Sequence, residues 1–259
     1  MKTRAIIGIV LAVCLASLLP ARALPAGLVS DWTGNGTATD ATGTNNGSFS
    51  GSYVQGIGGQ QAFSMPGPTG PVFTAPATGL PTGAAVRTVS LWVDTLSLTT
   101  NGPGAMYFEY GSQSVGGQAF SLAESPGGVF YFQDCLGTFG SVPFNLDQWY
   151  YLAVVENANG TQSFYVNGIL EATGALSINT APNSAMTVGG IMQNAGSGLL
   201  PAYYVNANIE QVHVYNTALT TGQITQDMQA TVPEPSWLAC MLGALMEVGL
   251  LTRKRLHRC

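Results

Sequence analysis

From residue 24 to residue 231 this 259-residue chain contains no lysine and a single arginine, Arg87. The same stretch carries eleven acids, Asp31, Asp40, Asp94, Glu109, Glu124, Asp134, Asp147, Glu156, Glu171, Glu210 and Asp227, for a formal net charge of −10. A surface of that sign repels phosphate backbones and anionic membranes, which argues against nucleic acid as a partner and leaves cations and neutral sugars compatible with it. Cysteine is as scarce. Cys135 stands alone in the segment, so no intramolecular disulfide can form there. Its thiol is expected to be buried as a small apolar group, the alternative being an intermolecular bridge. A 208-residue segment needs no such staple, because folding at that size buries roughly 70 per cent of the chain's surface in one core. Repeats of 20 to 50 residues are absent too, which speaks against a solenoid or propeller.

Basic residues are concentrated at the two ends of the chain. Lys2 and Arg4 precede an apolar stretch over 5–19, and Ala21 and Ala23 flank Arg22 in the small-x-small pattern of a signal-peptidase site. The pattern predicts a signal peptide over 1–23 and Leu24 as the mature start. Cys14 follows Val13, a poor lipobox residue, so a lipoprotein signal is the weaker alternative. At the other end, Val232, Pro233, Glu234 and Pro235 precede an apolar run over 237–251, interrupted by Glu247, and then Arg253, Lys254, Arg255 and Arg258. The positive-inside bias would hold that basic cluster in the cytoplasm. As a helix the run would be roughly 22 Å long against about 30 Å of hydrocarbon, which suits temporary retention better than permanent anchoring. This three-block arrangement resembles the PEP-CTERM sorting signal of Gram-negative bacteria. The resemblance implies recognition and cleavage by an exosortase, with delivery from a transient membrane-anchored state to the cell surface or its matrix. Glu247 departs from the usual all-apolar span, and a carboxyl so near the cytoplasmic end can snorkel or bind a proton.

The middle of the chain, 24–231, reads as one all-β domain. Short runs rich in Val, Thr, Tyr, Phe and Trp alternate with Gly, Pro and Asn clusters, the punctuation of a sandwich or barrel. Strands are expected over 28–32, 47–54, 86–93, 105–110, 118–122, 128–133, 148–155, 162–166, 185–188 and 206–215, and one short helix over 220–228. Asn159-Gly160 and Asn167-Gly168 fit type I′ turns and suggest a three-strand antiparallel meander. More than ten strands without a repeat favour a two-sheet antiparallel jelly roll.

The order of motifs carries a second resemblance. Gly27-Leu-Val-Ser-Asp-Trp32, Asp40-Ala-Thr-Gly-Thr-Asn-Asn-Gly47, Gly58-Gly-Gln-Gln-Ala-Phe63, Val89-Ser-Leu-Trp92, Gln148-Trp-Tyr-Tyr-Leu-Ala-Val154, Phe164-Tyr-Val-Asn-Gly168 and Ile209-Glu-Gln-Val-His-Val-Tyr-Asn-Thr-Ala-Leu219 follow one another. Together they are similar to a bacterial laminin-G-like domain of the concanavalin A-like lectin and glucanase superfamily, over about 28–228. The resemblance implies a two-sheet jelly roll that binds carbohydrate or protein at its rim and is often stabilised by calcium. By resemblance, an acid near the start of the last long strand completes the calcium site. Here that acid is Glu210, where the family more often has Asp, and the Asp, Asn and carbonyl-rich loop beginning at Asp40 would supply the remaining oxygens. Otherwise Asp40 is an Asx-type turn and Glu210 a solvated side chain.

Catalysis on this scaffold needs two placed carboxyl groups, about 5 to 5.5 Å apart in a retaining glycosidase. No two of the eleven acids lie within eight residues of each other, and the Glu-x-Asp-x-Glu spacing of related glucanases is absent. A cross-strand pair such as Glu109 with Glu124 stays open. His213 is expected on a strand surface, sharing a face with Ile209, Gln211 and Tyr215, and Arg87 is expected to solvate a strand edge or pair with a carboxylate. Tyr107, Tyr131, Tyr203 and Tyr204 become sugar-stacking candidates if they point out of the core. The expectation is a non-catalytic surface or matrix module that binds polysaccharide or a surface protein. A structural matrix component without a ligand and a glycan-degrading enzyme are the alternatives.

Overall fold

A computed structural model describes residues 23–230 apart from 69, 100–103, 183–184, 193–198 and 201–202. Ala21, the sorting motif, the apolar run at 237–251 and the basic cluster lie outside the described residues, and no described helix is long and apolar enough to cross a membrane. The strands are β1 (Leu28–Trp32), β2 (Tyr53–Gln55), β3 (Gln61–Pro66), β4 (Phe73–Pro76), β5 (Arg87–Ser97), β6 (Ala105–Gly111), β7 (Ala119–Glu124), β8 (Val129–Gln133), β9 (Thr138–Pro143), β10 (Trp149–Glu156), β11 (Gln162–Val166), β12 (Ile169–Gly174), β13 (Ala185–Val188), β14 (Ile191–Met192), β15 (Leu199–Leu200) and β16 (Asn206–Tyr215), followed by helix α1 (Thr221–Ala230).

These strands form two antiparallel sheets packed as a jelly-roll sandwich. The large sheet runs β12-β11-β10-β5-β16-β3-β2 with β1 paired to β16, the small one runs β4-β13-β6-β7-β8-β9, and β14 with β15 makes a separate hairpin. Alternate side chains meet between the sheets. Val89, Leu91 and Val93 of β5, Leu152 and Val154 of β10 and Val212 and Val214 of β16 face Phe108, Phe120, Leu122, Phe130 and Phe132 of the small sheet, all buried in one core. Edge-on ring pairs such as Phe120 with Phe132, 4.7 Å between centroids, add directional contacts to that burial. Trp32, also in this core, donates its indole N–H to the Asn45 carbonyl at 2.8 Å, so its one polar atom is satisfied.

Two local readings change. Asn167 (φ 52°) and Gly168 (φ 78°) are both left-handed, as a type I′ hairpin requires. Gly160 is left-handed but Asn159 is not, and Gly160 N–H donates to the Asn157 carbonyl, so this hairpin closes by a type I turn followed by a left-handed glycine. On β16 the pairing with β5 slips between Glu210 and His213, where Gln211 adopts φ 53°. That bulge inserts one residue and reverses the alternation beyond it. Ile209, Val212 and Val214 therefore point inward, and Glu210, His213 and Tyr215 point outward. The helix expected near 220–228 is present, opened by a capping box: Thr220 Oγ1 accepts from Gln223 N–H, and Gln223 Oε1 accepts from Thr220 N–H at 2.9 Å.

Candidate functional site

The outer face of the small sheet carries a groove of about 770 Å³ lined by residues that include Gln113, Tyr131, Gln133, Cys135, Leu136 and Tyr203. Strand register sets a polar row that starts in this groove and continues beneath its neighbours. Thr74 pairs with Thr187, Thr187 with Glu109, Glu109 with Ser121, Ser121 with Gln133 and Gln133 with Thr138. Each of the six strands thus contributes one hydrogen-bonding side chain to a single row across the sheet, roughly 24 Å long at the usual strand spacing. Its open end is Gln133 and Thr138, which line the groove, while Ser121 and Glu109 lie beneath Gln113. Tyr131 packs over Met106, Ala123 and Ile191, with Tyr203 against the same cluster, and forms one wall. Leu136 forms the lip and is 81% exposed.

Glu109 is the one acid of the row. It is 3% exposed, and its Oε2 has no hydrogen-bond partner. Burial pushes its carboxyl up to about 8, with Gln113 pulling weakly the other way, so at neutral pH it is mainly the uncharged acid. Glu124, its proposed partner, faces the opposite side of the sheet: on β7, Ser121 lies opposite Glu109, and residue 124 is an odd number of positions further on. Inside the sandwich Glu124 accepts from Tyr107 at 2.5 Å, and Tyr107 shares a 2.6 Å hydrogen bond with Thr95. Burial raises the Glu124 carboxyl to about 7. The two acids cannot address one substrate from opposite faces, so the cross-strand pair is not a catalytic dyad. Tyr107 likewise leaves the list of sugar-stacking candidates. A bulge between Met106 and Phe108 turns it into the core.

Tyr131 and Tyr203 do line the groove, whereas Tyr204 sits half-buried with its ring against Gly190. Cys135 also departs from expectation. It is half-buried, adopts φ 100° and donates its thiol to the Gln113 carbonyl at 3.1 Å, tying the turn after β8 to the loop before β7. Sequence reasoning did not reach Gln113, Gln133 or Leu136. Leu136, an aliphatic residue between Cys135 and Gly137 in a turn, was the one available signal, because turns seldom spend a large apolar side chain on solvent.

The outer face of the large sheet is closed instead. Helix α1 lies over Trp92, Tyr151, Tyr165 and Tyr215 through Ile224 and Met228. Under it, Asp227 Oδ1 pairs with His213 Nδ1 at 2.8 Å and accepts from Tyr215 at 2.5 Å, and Oδ2 accepts from Tyr151 at 2.5 Å and Ser90 at 2.6 Å. His213 is buried rather than solvent-facing, with Nε2 3.3 Å from Asp31 Oδ1, an ion pair without hydrogen-bond alignment. Burial alone would lower its basicity, but Asp227 and then Asp31 overcome this and hold the imidazolium up to about 10. His213 in turn keeps the Asp227 carboxylate down to about 2 despite burial. The bulge at Gln211 is what brings His213 to this face. Arg87 is also fully buried, not at an edge: Nη1 donates to Pro81, Tyr110 and Thr180, Nη2 to Gly83 and Nε to Ala85, with the guanidinium 5.2 Å from the Phe120 ring centre.

The residues proposed for calcium do not fit one ion. Asp40 Oδ1 accepts from Asp31 N–H, Thr42 N–H and the Thr42 hydroxyl, and Oδ2 from Asn45 N–H, so its oxygens are committed to organising the loop. These backbone donors hold its carboxyl low even though burial opposes them. Glu210 is buried on the large sheet's outer face, where Oε1 accepts from Ile57 N–H and Oε2 lies against Gly56. The two carboxylates share no hydrogen-bond partner. Burial raises Glu210 to about 8. Among the described residues no cluster of three His, Cys, Asp or Glu side chains is placed to hold a metal.

A laminin-G-type family model, described as the concanavalin A-like lectin/glucanases superfamily, matches residues 67–225, well over half the chain. The chain belongs to that superfamily. The match runs from the end of β3 into α1, so it covers the whole small sheet and the groove. Among solved structures with this superfamily's fold, domain 4 of AbnA, a GH43 extracellular arabinanase from Geobacillus stearothermophilus, solved with arabinotriose, is 22% identical, with a TM-score of 0.58 over 78% of this chain and 98% of that domain. Trypanosoma rangeli sialidase in complex with the inhibitor DANA is 13% identical at a TM-score of 0.58, over 88% of this chain and 38% of the sialidase. A botulinum neurotoxin type C structure, from work on cell entry through two ganglioside molecules, is 14% identical at 0.58, over 80% of this chain and 52% of that one. This superfamily member thus spans about half the toxin chain and less of the sialidase. At these identities the likeness is one of fold. No curated protein matches the sequence significantly.

Proposed function

We propose that the domain is a non-catalytic carbohydrate-binding module of an exported protein, presented at the cell surface or in its matrix. The observation that carries this reading is the groove of the small sheet. It offers a polar floor, a tyrosine wall and an aliphatic lip, with Glu109 buried beneath Gln113; its candidate partner Glu124 faces the other way, and Asp134, the other buried acid on this side, has Oδ1 committed to the Leu136 and Gly137 N–H groups. Binding needs such a surface, whereas glycoside hydrolysis needs a second carboxyl on the same side. The GH43 domain solved with arabinotriose and the toxin studied with gangliosides support a sugar ligand by kinship of fold. Export and exosortase processing rest on the two ends of the sequence. A surface protein as ligand is the runner-up, since the same groove could seat a peptide.

The test is affinity electrophoresis of the purified 24–231 segment through a panel of soluble polysaccharides, beside its Tyr131→Ala and Tyr203→Ala variants. Retardation by at least one polysaccharide, weakened in both variants, is the expected result. Release of reducing ends would favour a glycan-degrading enzyme, and absence of retardation throughout a structural component or a protein ligand.

A further inference from the structure

We propose that the groove is selective for uncharged glycans, and that the Glu109 carboxyl reads them by sharing a hydrogen bond with a sugar oxygen once the ligand moves the Gln113 side chain aside. This rests on the carbohydrate-binding reading and narrows its substrate class.

The first observation is the composition of the groove's lining. Gln113, Ser125, Gln133, Thr138 and Ser141 are neutral donors and acceptors, the chemistry that matches sugar hydroxyls, and no basic side chain stands among them. An acidic sugar would need a cation to replace the water around its carboxylate. Between residues 24 and 231 the chain has only Arg87 to offer, and that guanidinium is fully buried with all three nitrogens donating to this domain's own oxygens. A sialylated or uronate-containing chain would instead approach a segment of formal charge −10.

The second observation is Glu109 itself. It occupies the middle of the row, is almost fully buried, and leaves Oε2 without a partner, although a buried polar oxygen normally has one. Gln113, which lines the groove, also hydrogen-bonds the Glu109 carboxyl. The Gln113 amide reaches both Glu109 and Ser121, and its bond to Ser121 is long, at 3.3 Å. Such a weak internal bond is readily exchanged for one to a ligand. The other groups facing Glu109 are Thr187 on β13, Ser121 on β7, and Cys135 beside Asp134 on the turn after β8. The uncharged acid can donate to a sugar oxygen, and the ionised form can only accept.

The experiment measures binding of arabinan and β-glucan, as neutral probes, and of polygalacturonate and hyaluronan, as acidic ones, at pH 6 and pH 9. It uses the 24–231 segment carrying Cys135→Ser, which removes the thiol as a second titrating group. At least one neutral probe should bind and neither acidic one. Affinity for the neutral probe should fall about tenfold at pH 9, the weight of one hydrogen bond. Glu109→Gln keeps a donor at every pH, so it should bind within about twofold of the parent at pH 6 and lose nothing at pH 9. Glu109→Ala should bind about tenfold more weakly at pH 6, with melting curves for each variant confirming the fold. If no probe binds, or binding ignores Tyr131→Ala and Tyr203→Ala, the carbohydrate reading itself falls. Acidic probes binding as tightly as neutral ones through the groove would overturn the selectivity alone. A parent and a Glu109→Ala variant that behave identically at both pH values would overturn the role of Glu109.

Discussion

On the outer face of the large sheet Asp227, reaching down from α1, takes four hydrogen bonds and ion-pair contacts. On the outer face of the small sheet Glu109 keeps an unpaired oxygen beside an open groove. Both are carboxyls on the outside of a sheet, and both are nearly or fully buried. One solution deprotonates the acid and surrounds it with donors and a histidinium, and the other leaves the acid protonated. A saturated network rigidifies whatever it joins and has no capacity left for a ligand. An unsaturated group costs stability, and a bound partner can supply what it lacks. The contrast gives the large sheet's outer face the task of holding the fold, and on the proposed reading it leaves the small sheet's outer face to recognition. It also shows what α1 does: its apolar side excludes water from a charged cluster that would otherwise be screened.

The sharpest way to break that contrast is Asp227→Ala. Removing one partner leaves a buried imidazolium facing only Asp31, and breaking a buried pair in this way costs about 3–5 kcal/mol. Urea unfolding should show a loss of that size, and a loss below about 1 kcal/mol would mean that apolar contact alone seats the helix. Ile224→Ala tests the apolar share. This fully buried residue should cost about 2–4 kcal/mol by the same measurement.

The pH dependence of melting follows next in size. His213 rises from its ordinary 6.5 to about 10 in the folded state, so its stabilisation is complete below 6.5 and disappears as pH climbs through 10. Asp227 is lowered to about 2 from 3.8, so its share is present above 3.8 and is lost as pH falls through 2. Glu109 and Glu210 at about 8 and Glu124 at about 7, all raised from 4.5, contribute fully below 4.5 and lose that contribution as pH rises through 7 to 8. Melting temperature should therefore peak near pH 4 to 6 and fall steadily toward pH 10. His213→Gln should flatten the upper limb above pH 8, leaving the carboxyl-linked fall between pH 5 and 8.

Much of the scaffold was legible because it repeats simple signals. Strands β1, β11, β13 and β16 fall at the expected residues, since β-branched and aromatic runs between Gly and Asn turns have few other uses. Besides the two-residue β14 and β15, what escaped the sequence were β3, β4 and β9, each closing on a proline that reads as a strand breaker. The site was far less legible. The bulge at Gln211 turns His213 to the outer face, where α1 covers it and seals it into a network with Asp227, fourteen residues away on a different element. Another at Tyr107 sent a candidate sugar platform into the core. Period-two reasoning cannot anticipate an inserted residue, and every facing assignment beyond it inverts. The row from Thr74 to Thr138 was equally hidden, because its members come from six strands and acquire a common line only through register.

The smallest expected effect on stability is the one that separates the two faces most cleanly. Leu136 is 81% exposed and contributes little to the core, so Leu136→Ser should change unfolding free energy by no more than about 0.5 kcal/mol. At the lip of the groove, however, it is the large aliphatic surface against which a sugar ring can lose water, and covering part of a leucine is worth a fraction of the roughly 1.5–3 kcal/mol of full burial. Affinity for the neutral probe should accordingly fall about fivefold while the melting curve stays in place. On the large sheet the coupling runs the other way: Ile224→Ala should shift melting by several degrees and leave glycan affinity unchanged, because α1 packs on the opposite sheet from the groove. A Leu136→Ser variant that melts early, or an Ile224→Ala variant that remains folded yet binds poorly, would show that the two faces are coupled through the core rather than divided between fold and recognition.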